Sequence, residues 1–223
     1  MAVSLIAVRG KRSRKEEVGN ACAFVTAINK LPIIVKSCPG FLVNRVLAPY
    51  MMEAVRLYQD GQPRDKIDQA ALKFGMPMGP MELMDMVGLD ICNKVGEELD
   101  IVPKANKKSK AKTASKTRAD NVLATLVKQG KLGKKTGEGF YVWADGKPKR
   151  EEASYDDAEL ERLGIELVQP MLDEAERAAA DKIVESEDHV DAGVIFGTGF
   201  APFRGGPLHY RHSTDAAAPD KAA

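Results

Sequence analysis

The spacing of apolar residues changes several times along the chain, and each change predicts an element. Residues 3–8, Val-Ser-Leu-Ile-Ala-Val, form a short apolar run expected to be a strand. Ser13 followed by Glu16 is a capping-box pattern, after which Val18, Cys22, Val25 and Ile28 mark one face of a helix running to about Asn29. β-Branched residues return at 32–36, where a second strand is expected. Strand, helix and strand in this order resemble the closing edge of a parallel sheet; a small N-terminal decoration of a helical domain is the alternative.

Cys38-Pro39-Gly40 then breaks the pattern, because Pro39 lacks an amide donor and Gly40 tolerates backbone angles that other residues avoid. Phe41, Val43, Val46, Leu47, Tyr50, Met51, Ala54 and Tyr58 follow at three- and four-residue intervals. They predict a helix from about Gly40 to Gln59 that Pro49 kinks or divides. Pro63 opens a shorter helix, with Ile67, Ala70, Ala71 and Phe74 on one face and Gly75 at its end. Beyond the rigid turn Gly75–Pro80, Leu83, Val87, Ile91, Val95 and Leu99 recur every four residues and predict one long helix. Met76, Met78, Met81, Met84 and Met86 cluster around that turn, as core filler or as an adaptable acyl-binding groove.

Residues 103–119 carry Lys104, Lys107, Lys108, Lys110, Lys112, Lys116 and Arg118 with no acid among them. No aromatic residue accompanies these cations to stack on bases, so the run reads as a solvated loop rather than a nucleic-acid surface. Helical spacing resumes at Val122, Leu123, Leu126 and Val127, with Gly130 as its cap. In the following stretch, Lys134–Trp143, the Gly137-Glu138-Gly139 segment lacks the strand before it and the helix after it that a phosphate loop requires. A turn followed by an extended segment that seals the helical unit is expected instead. Ala144 to Asp157 is polar, with Gly146 and Pro148, and reads as a linker.

Past the linker an earlier pattern returns. Met51–Ala54 has a counterpart in Leu172–Ala175, Ile67-Asp68 in Val190-Asp191, Phe74-Gly75 in Phe196-Gly197, Pro77 in Pro202, and Gly79-Pro80 in Gly206-Pro207. The repeat predicts duplication of one helical module, the second copy being shorter. The last residues, from Ser213, are of low complexity.

Composition narrows the function classes. Hydrophobic residues make up 44 % of the 223, enough for a packed core, and a net charge of +1 gives no global field for nucleic acid. Cys22, Cys38 and Cys92 are too few and too widely spaced for a disulfide frame or a zinc site, and fit reduced thiols in the cytoplasm. No apolar run approaches membrane-spanning length. The sequence has no G-x-G-x-x-G between a strand and a helix, no G-x-S-x-G and no H-E-x-x-H. His189, His209 and His212 all lie in the second module and read as surface residues.

Three stretches, in order, supply more. Lys36-Ser37-Cys38-Pro39-Gly40-Phe41-Leu42-Val43-Asn44-Arg45-Val46, then Phe74–Pro80, then Gly133–Tyr141 resemble the C-terminal portion of the L-3-hydroxyacyl-CoA dehydrogenase family, most closely the dehydrogenase part of the multifunctional fatty-acid oxidation enzyme. Phe200–Gly206 resembles the second C-terminal copy in those fusions, and the likeness runs over roughly residues 3–212. It implies a mainly α fold of duplicated helical modules, like the 6-phosphogluconate-dehydrogenase-type C-terminal domain, after a short strand-helix-strand remnant of a Rossmann domain. The organisation it implies is 1–37 for the edge of the dinucleotide-binding domain, 38–143 for the first helical domain, 144–158 for a linker, 159–212 for the truncated second module and 213–223 for a disordered tail.

The family oxidises the 3-hydroxyl of an acyl-CoA in fatty-acid β-oxidation: a histidine oriented by a glutamate takes the proton while hydride passes to NAD. The resemblance places the family asparagine at Asn44, where its amide can bond the substrate oxygen and the histidine; helix capping is the plain alternative. The family glutamate falls on Ile6, and the histidine and the glycine-rich NAD loop would lie upstream of Met1. The implied chain is therefore the acyl-CoA and dimerisation side of an NAD-dependent dehydrogenase, inactive alone, with NAD not held tightly. Its expected partners are acyl-CoA, a second copy, or a missing upstream NAD-binding region. A non-catalytic helical interaction module is the rival reading.

Overall fold

The second N-terminal strand is built as the apolar pattern requires, one alternate face turned inward. In the computed structural model, which describes residues 4–99 and 122–217, β1 (Ser4–Arg9) and β2 (Leu31–Lys36) pair in parallel, from Ser4 with Leu31 to Arg9 with Lys36. α1 (Lys15–Ala27) makes the crossover. Ile33 and Val35 are buried while Ile34 between them is exposed, the two-residue period of a strand covered on one face.

The chain divides into two units, residues 1–47, 75–77 and 169–223 in one and 48–74 and 78–168 in the other. The first contains the strand pair, the start of α2 (Val43–Gln59), the end of α7 (Asp157–Ala180), α8 (Glu187–Thr198) and α9 (Pro207–Ala217). Gly193 of α8 leaves the space that Leu42 and Ile33 occupy. Ser186 caps α8, its hydroxyl accepting the His189 amide.

The second unit holds the rest of α2 and α3 (Arg64–Phe74), α4 (Pro80–Val87), α5 (Leu89–Glu98) and α6 (Val122–Lys128). A single 3-10 turn at Lys134–Thr136 follows, then β3 (Trp143–Ala144) paired antiparallel with β4 (Lys147–Pro148), and the start of α7. Tyr50, Ile67, Met81, Met84, Leu89, Leu123, Tyr141 and Leu167 are its fully buried large side chains.

The periodicity misplaced three features. Ser13 does not cap α1; its hydroxyl accepts the Gly10 amide at 3.1 Å and closes the strand-to-helix turn, so the helix begins at Lys15 with no side-chain cap. The long helix expected after Pro80 is two, because Gly88 at φ 106° cannot continue a right-handed helix. That break changes the facing residues: Val87 and Ile91 are 43 % and 48 % exposed, whereas Met84, Leu89 and Cys92 are buried. α2 begins at Val43 rather than Gly40, because Gly40 and Phe41 are left-handed at φ 71° and 51°. Of the clustered methionines, Met76, Met81 and Met84 are buried as core filler. The basic run Lys104–Arg118 lies outside the described residues, and α9 continues past Ser213 to Ala217.

The duplicated pattern is visible as matching geometry. α2–α3–α4 and α7–α8–α9 follow one plan, each opening on a helix with an interior proline, Pro49 or Pro170. In the first copy the buried Asp68 carboxylate accepts the Met81 and Glu82 amides at 2.8 and 3.2 Å, at the start of α4. In the second, Asp191 accepts those of Leu208 and His209 at 2.8 and 3.0 Å, at the start of α9. Each helix thus has its orphan N-terminal donors satisfied by a carboxylate from the helix before it. A β-carbon on Gly79 or Gly206 would fall on the Asp68 or Asp191 side chain respectively, which is why glycine precedes both prolines.

Gly79 has ordinary backbone angles, φ −69°, so its replacement is a purely steric test. Gly79→Ala is expected to lower the melting temperature by roughly 4–8 °C, the equivalent of about 2 kcal/mol for a chain of this size. Gly19→Ala, in α1 with open space around the new methyl, is expected to leave it unchanged or slightly raised.

Candidate functional site

The turn between β2 and α2 holds a bulky non-glycine residue in the left-handed region. Pro39 and two successive left-handed residues, Gly40 and Phe41, reverse the chain. The Phe41 amide donates to the Cys38 carbonyl at 3.0 Å, and the Cys38 thiol donates back to the Phe41 carbonyl at 3.2 Å. A left-handed phenylalanine costs on the order of 1 kcal/mol and persists only where its surroundings hold it. Val46 and Leu42 are buried beneath the turn.

Asn44 is the second residue of α2 and is exposed, and among the described residues its side chain accepts and donates no hydrogen bond. It does not cap the helix. Arg45, next to it, is turned the other way: Nε meets Glu174 Oε1 at 2.6 Å and Nη2 meets Asp181 Oδ2 at 2.7 Å. Two acids hold this cation, so despite the cost of its partial burial its proton is held more firmly than in a free arginine. Sequence spacing gave no sign of Arg45, because its partners lie more than a hundred residues away.

In the second unit, carboxylates organise the Gly133–Tyr141 stretch. Asp85 accepts the Phe140 and Tyr141 amides, each at 2.8 Å, and the Trp143 indole N–H at 2.9 Å. Gly133 and Gly139 both press on Asp85, leaving no room for a β-carbon. The Tyr141 hydroxyl donates to Asp68 at 2.9 Å, so one tyrosine joins both carboxylates. Lys135 pairs with Asp90 at 2.5 Å, and Lys134 lies over the Trp143 ring, 5.3 Å from its centroid. With Lys134 and Lys135 engaged and Gly133 and Gly139 folded onto an aspartate, this segment is a seal and not a phosphate loop.

Burial pushes Asp68 up to about 6, against the opposing pull of the Met81 amide, the Tyr141 hydroxyl and the nearby Arg150 guanidinium. Asp85 and Asp191 move upward for the same reason, against their own hydrogen bonds. Cys92, buried against α4, is pushed up to about 12 and is no nucleophile.

The strand-helix junction does not fit a dinucleotide. It offers one glycine, Gly10, and the first turn of α1 carries Glu16 and Glu17, which oppose a pyrophosphate at a helix N-terminus. Ile6, on β1, brings no carboxylate. The three histidines are exposed, His189 Nδ1 lying 2.7 Å from the hydroxyl of its own cap, Ser186. Among the described residues no group of histidine, cysteine and carboxylate side chains is placed to hold a metal ion, and no helix is long and apolar enough to cross a membrane.

Residues 40–143 match the family model described as 3-hydroxyacyl-CoA dehydrogenase, C-terminal domain. The chain carries the C-terminal domain of the 3-hydroxyacyl-CoA dehydrogenase family. Among its relatives is the fatty acid oxidation complex subunit alpha of Shewanella amazonensis, 36 % identical over 220 residues, which cover 93 % of this chain and 30 % of that protein. The Vibrio vulnificus subunit is also 36 % identical, over 88 % of this chain and 28 % of its own length. The chain therefore spans less than a third of these relatives. In fold it is similar to 3-hydroxybutyryl-CoA dehydrogenase from Escherichia coli K12, with TM-score 0.71 and 22 % identity over 96 % of this chain and 61 % of that one. The dehydrogenase part of multifunctional enzyme 1 from C. elegans shares the fold at TM-score 0.59, with 22 % identity over 88 % of this chain and 45 % of its own. The 3-hydroxyacyl-CoA dehydrogenase C-terminal domain is mainly α, as the resemblance implied, and the strand-helix-strand precedes it.

The raised pKa of Asp68 fixes the sign of a pH effect. The folded chain binds this proton more tightly than the unfolded one, so the stabilising contribution is complete below about pH 4 and is lost as pH rises through about 6. Urea unfolding of the wild type and Asp68→Asn across pH 4–7 is expected to show their difference shrinking by up to about 3 kcal/mol toward neutral pH. A constant difference would show a carboxylate ionised throughout.

Proposed function

We propose that the chain is the substrate-side part of an NAD-dependent L-3-hydroxyacyl-CoA dehydrogenase of fatty-acid β-oxidation, working in the cytoplasm, and that alone it binds acyl-CoA without oxidising it. The observation that carries the reading is Asn44: an exposed carboxamide with no hydrogen-bond partner among the described residues, on the first turn of a helix, held by a strained and well-anchored turn. A carboxamide N–H so placed donates to the 3-oxygen of an acyl-CoA and fixes its orientation. No step through NAD is assigned to these residues, since the β1–α1 junction does not suit it.

A second reading, a non-catalytic interaction module, is favoured by one observation. Val8, Phe24, Ile28, Leu31 and Ile34 are exposed on or beside a parallel pair of only two strands, and parallel sheets are ordinarily covered on both faces. An upstream NAD-binding region or a second copy of the chain would cover it.

The readings separate in solution. Acetoacetyl-CoA is expected to bind saturably, about fivefold more weakly to Asn44→Ala, and NADH is expected not to be consumed when both are present with the chain alone. Steady NADH consumption overturns inactivity. A self-associating chain that ignores acetoacetyl-CoA leaves the interaction module.

A further inference from the structure

We infer that the second helical module is the clamp that sets Asn44, and that Arg45 is the positioning residue through which it acts. The inference rests on the reading of Asn44 as an acyl-CoA contact.

Five contacts bracket the turn, and all come from residues 174–197. At the end of β2 the Lys36 amide donates to the Ile183 carbonyl at 2.8 Å. Leu42 fills the space left by Gly193 and Val43 that left by Gly197, both glycines on α8, so the start of α2 lies against bare backbone. Arg45 then crosses to Glu174 and Asp181 at the end of α7, with only 18 % of its side chain exposed and 14 % of that of Glu174. The turn needs such holding, because its left-handed Phe41 is unfavourable on its own.

Comparison of the two copies shows that these acids have been redirected. In the first module Glu53 of α2 and Asp60, just past its end, both close on Arg56, at 2.6 and 2.5 Å. Glu174 and Arg177 of α7 and Asp181, just past its end, stand at the same mutual spacing. There Arg177 takes only Glu174 Oε2, at 2.7 Å. The other Glu174 oxygen and Asp181 are left for Arg45, one residue from the exposed amide. A guanidinium held at two nitrogens has a fixed direction, which a single-point contact does not give. The backbone at residue 45, and with it the direction of Asn44, is thereby set by a module that otherwise has no part in the site.

Acetoacetyl-CoA binding to the 223-residue chain tests this in a double-mutant cycle. Glu174→Gln is expected to weaken binding about fivefold in the wild-type background and less than twofold in Asn44→Ala, because an unset turn matters only when the amide is there to be set. Amide exchange across residues 40–46 is expected to quicken in Glu174→Gln, with Arg45→Lys showing a smaller change of the same sign. Should Glu174→Gln fail to fold, Asp181→Asn, on the more exposed partner, completes the same cycle. Equal losses in both backgrounds overturn the positioning role while leaving the acyl-CoA reading intact. A wild-type chain that does not bind acetoacetyl-CoA removes that reading, and the proposal with it.

Discussion

A buried carboxylate turned onto the free amides of the next segment is the interaction on which the helical modules depend. Transferring an aspartate from water is unfavourable by several kcal/mol unless its oxygens find donors, and the N-terminus of a helix supplies donors that would otherwise be unsatisfied. Asp68 and Asp191 each solve both problems at once, and Asp85 does the same for the loop that seals the first module. The solution imposes its own demand on sequence. The receiving backbone must approach closely, so glycine is required at positions 79, 139 and 206, where a β-carbon would fall on the carboxylate, and Gly133 lies as close to the backbone of Asp85. Gly137 is in open space and is accounted for by its left-handed backbone, φ 80°.

The turn between β2 and α2 obeys a different logic. Its backbone is locally unfavourable at Phe41, and its hold comes from neighbours: a strand end, two glycine-backed side chains and a forked ion pair. Rigid support under a strained turn fixes the backbone from which the exposed Asn44 side chain projects.

What the sequence revealed followed the range of the physics involved. Strand positions, the helix to Gln59, the Gly130 cap and the repeat were legible because period, proline and glycine act over a few residues. Asn44 was found through a resemblance; periodicity gives an exposed asparagine no distinction. Gly88 was hidden inside a four-residue stripe that continued past it, and Ser13 matched a cap while bonding backward to Gly10. Asp68 and Asp191 stand out in the sequence only as repeat partners, since the amides that donate to them lie 13 to 18 residues on. The Arg45 pairs, 129 and 136 residues apart, leave no local trace at all.

Pro49 bears on the same turn. Lacking an amide proton, it cannot bond the carbonyl four residues back, which belongs to Arg45, so the helical ladder of α2 has a missing rung immediately after the residue that is clamped. The first turn of α2 is thus joined to the rest of its helix by one backbone bond fewer, and the Glu174 and Asp181 carboxylates on Arg45 stand in for it from another part of the chain.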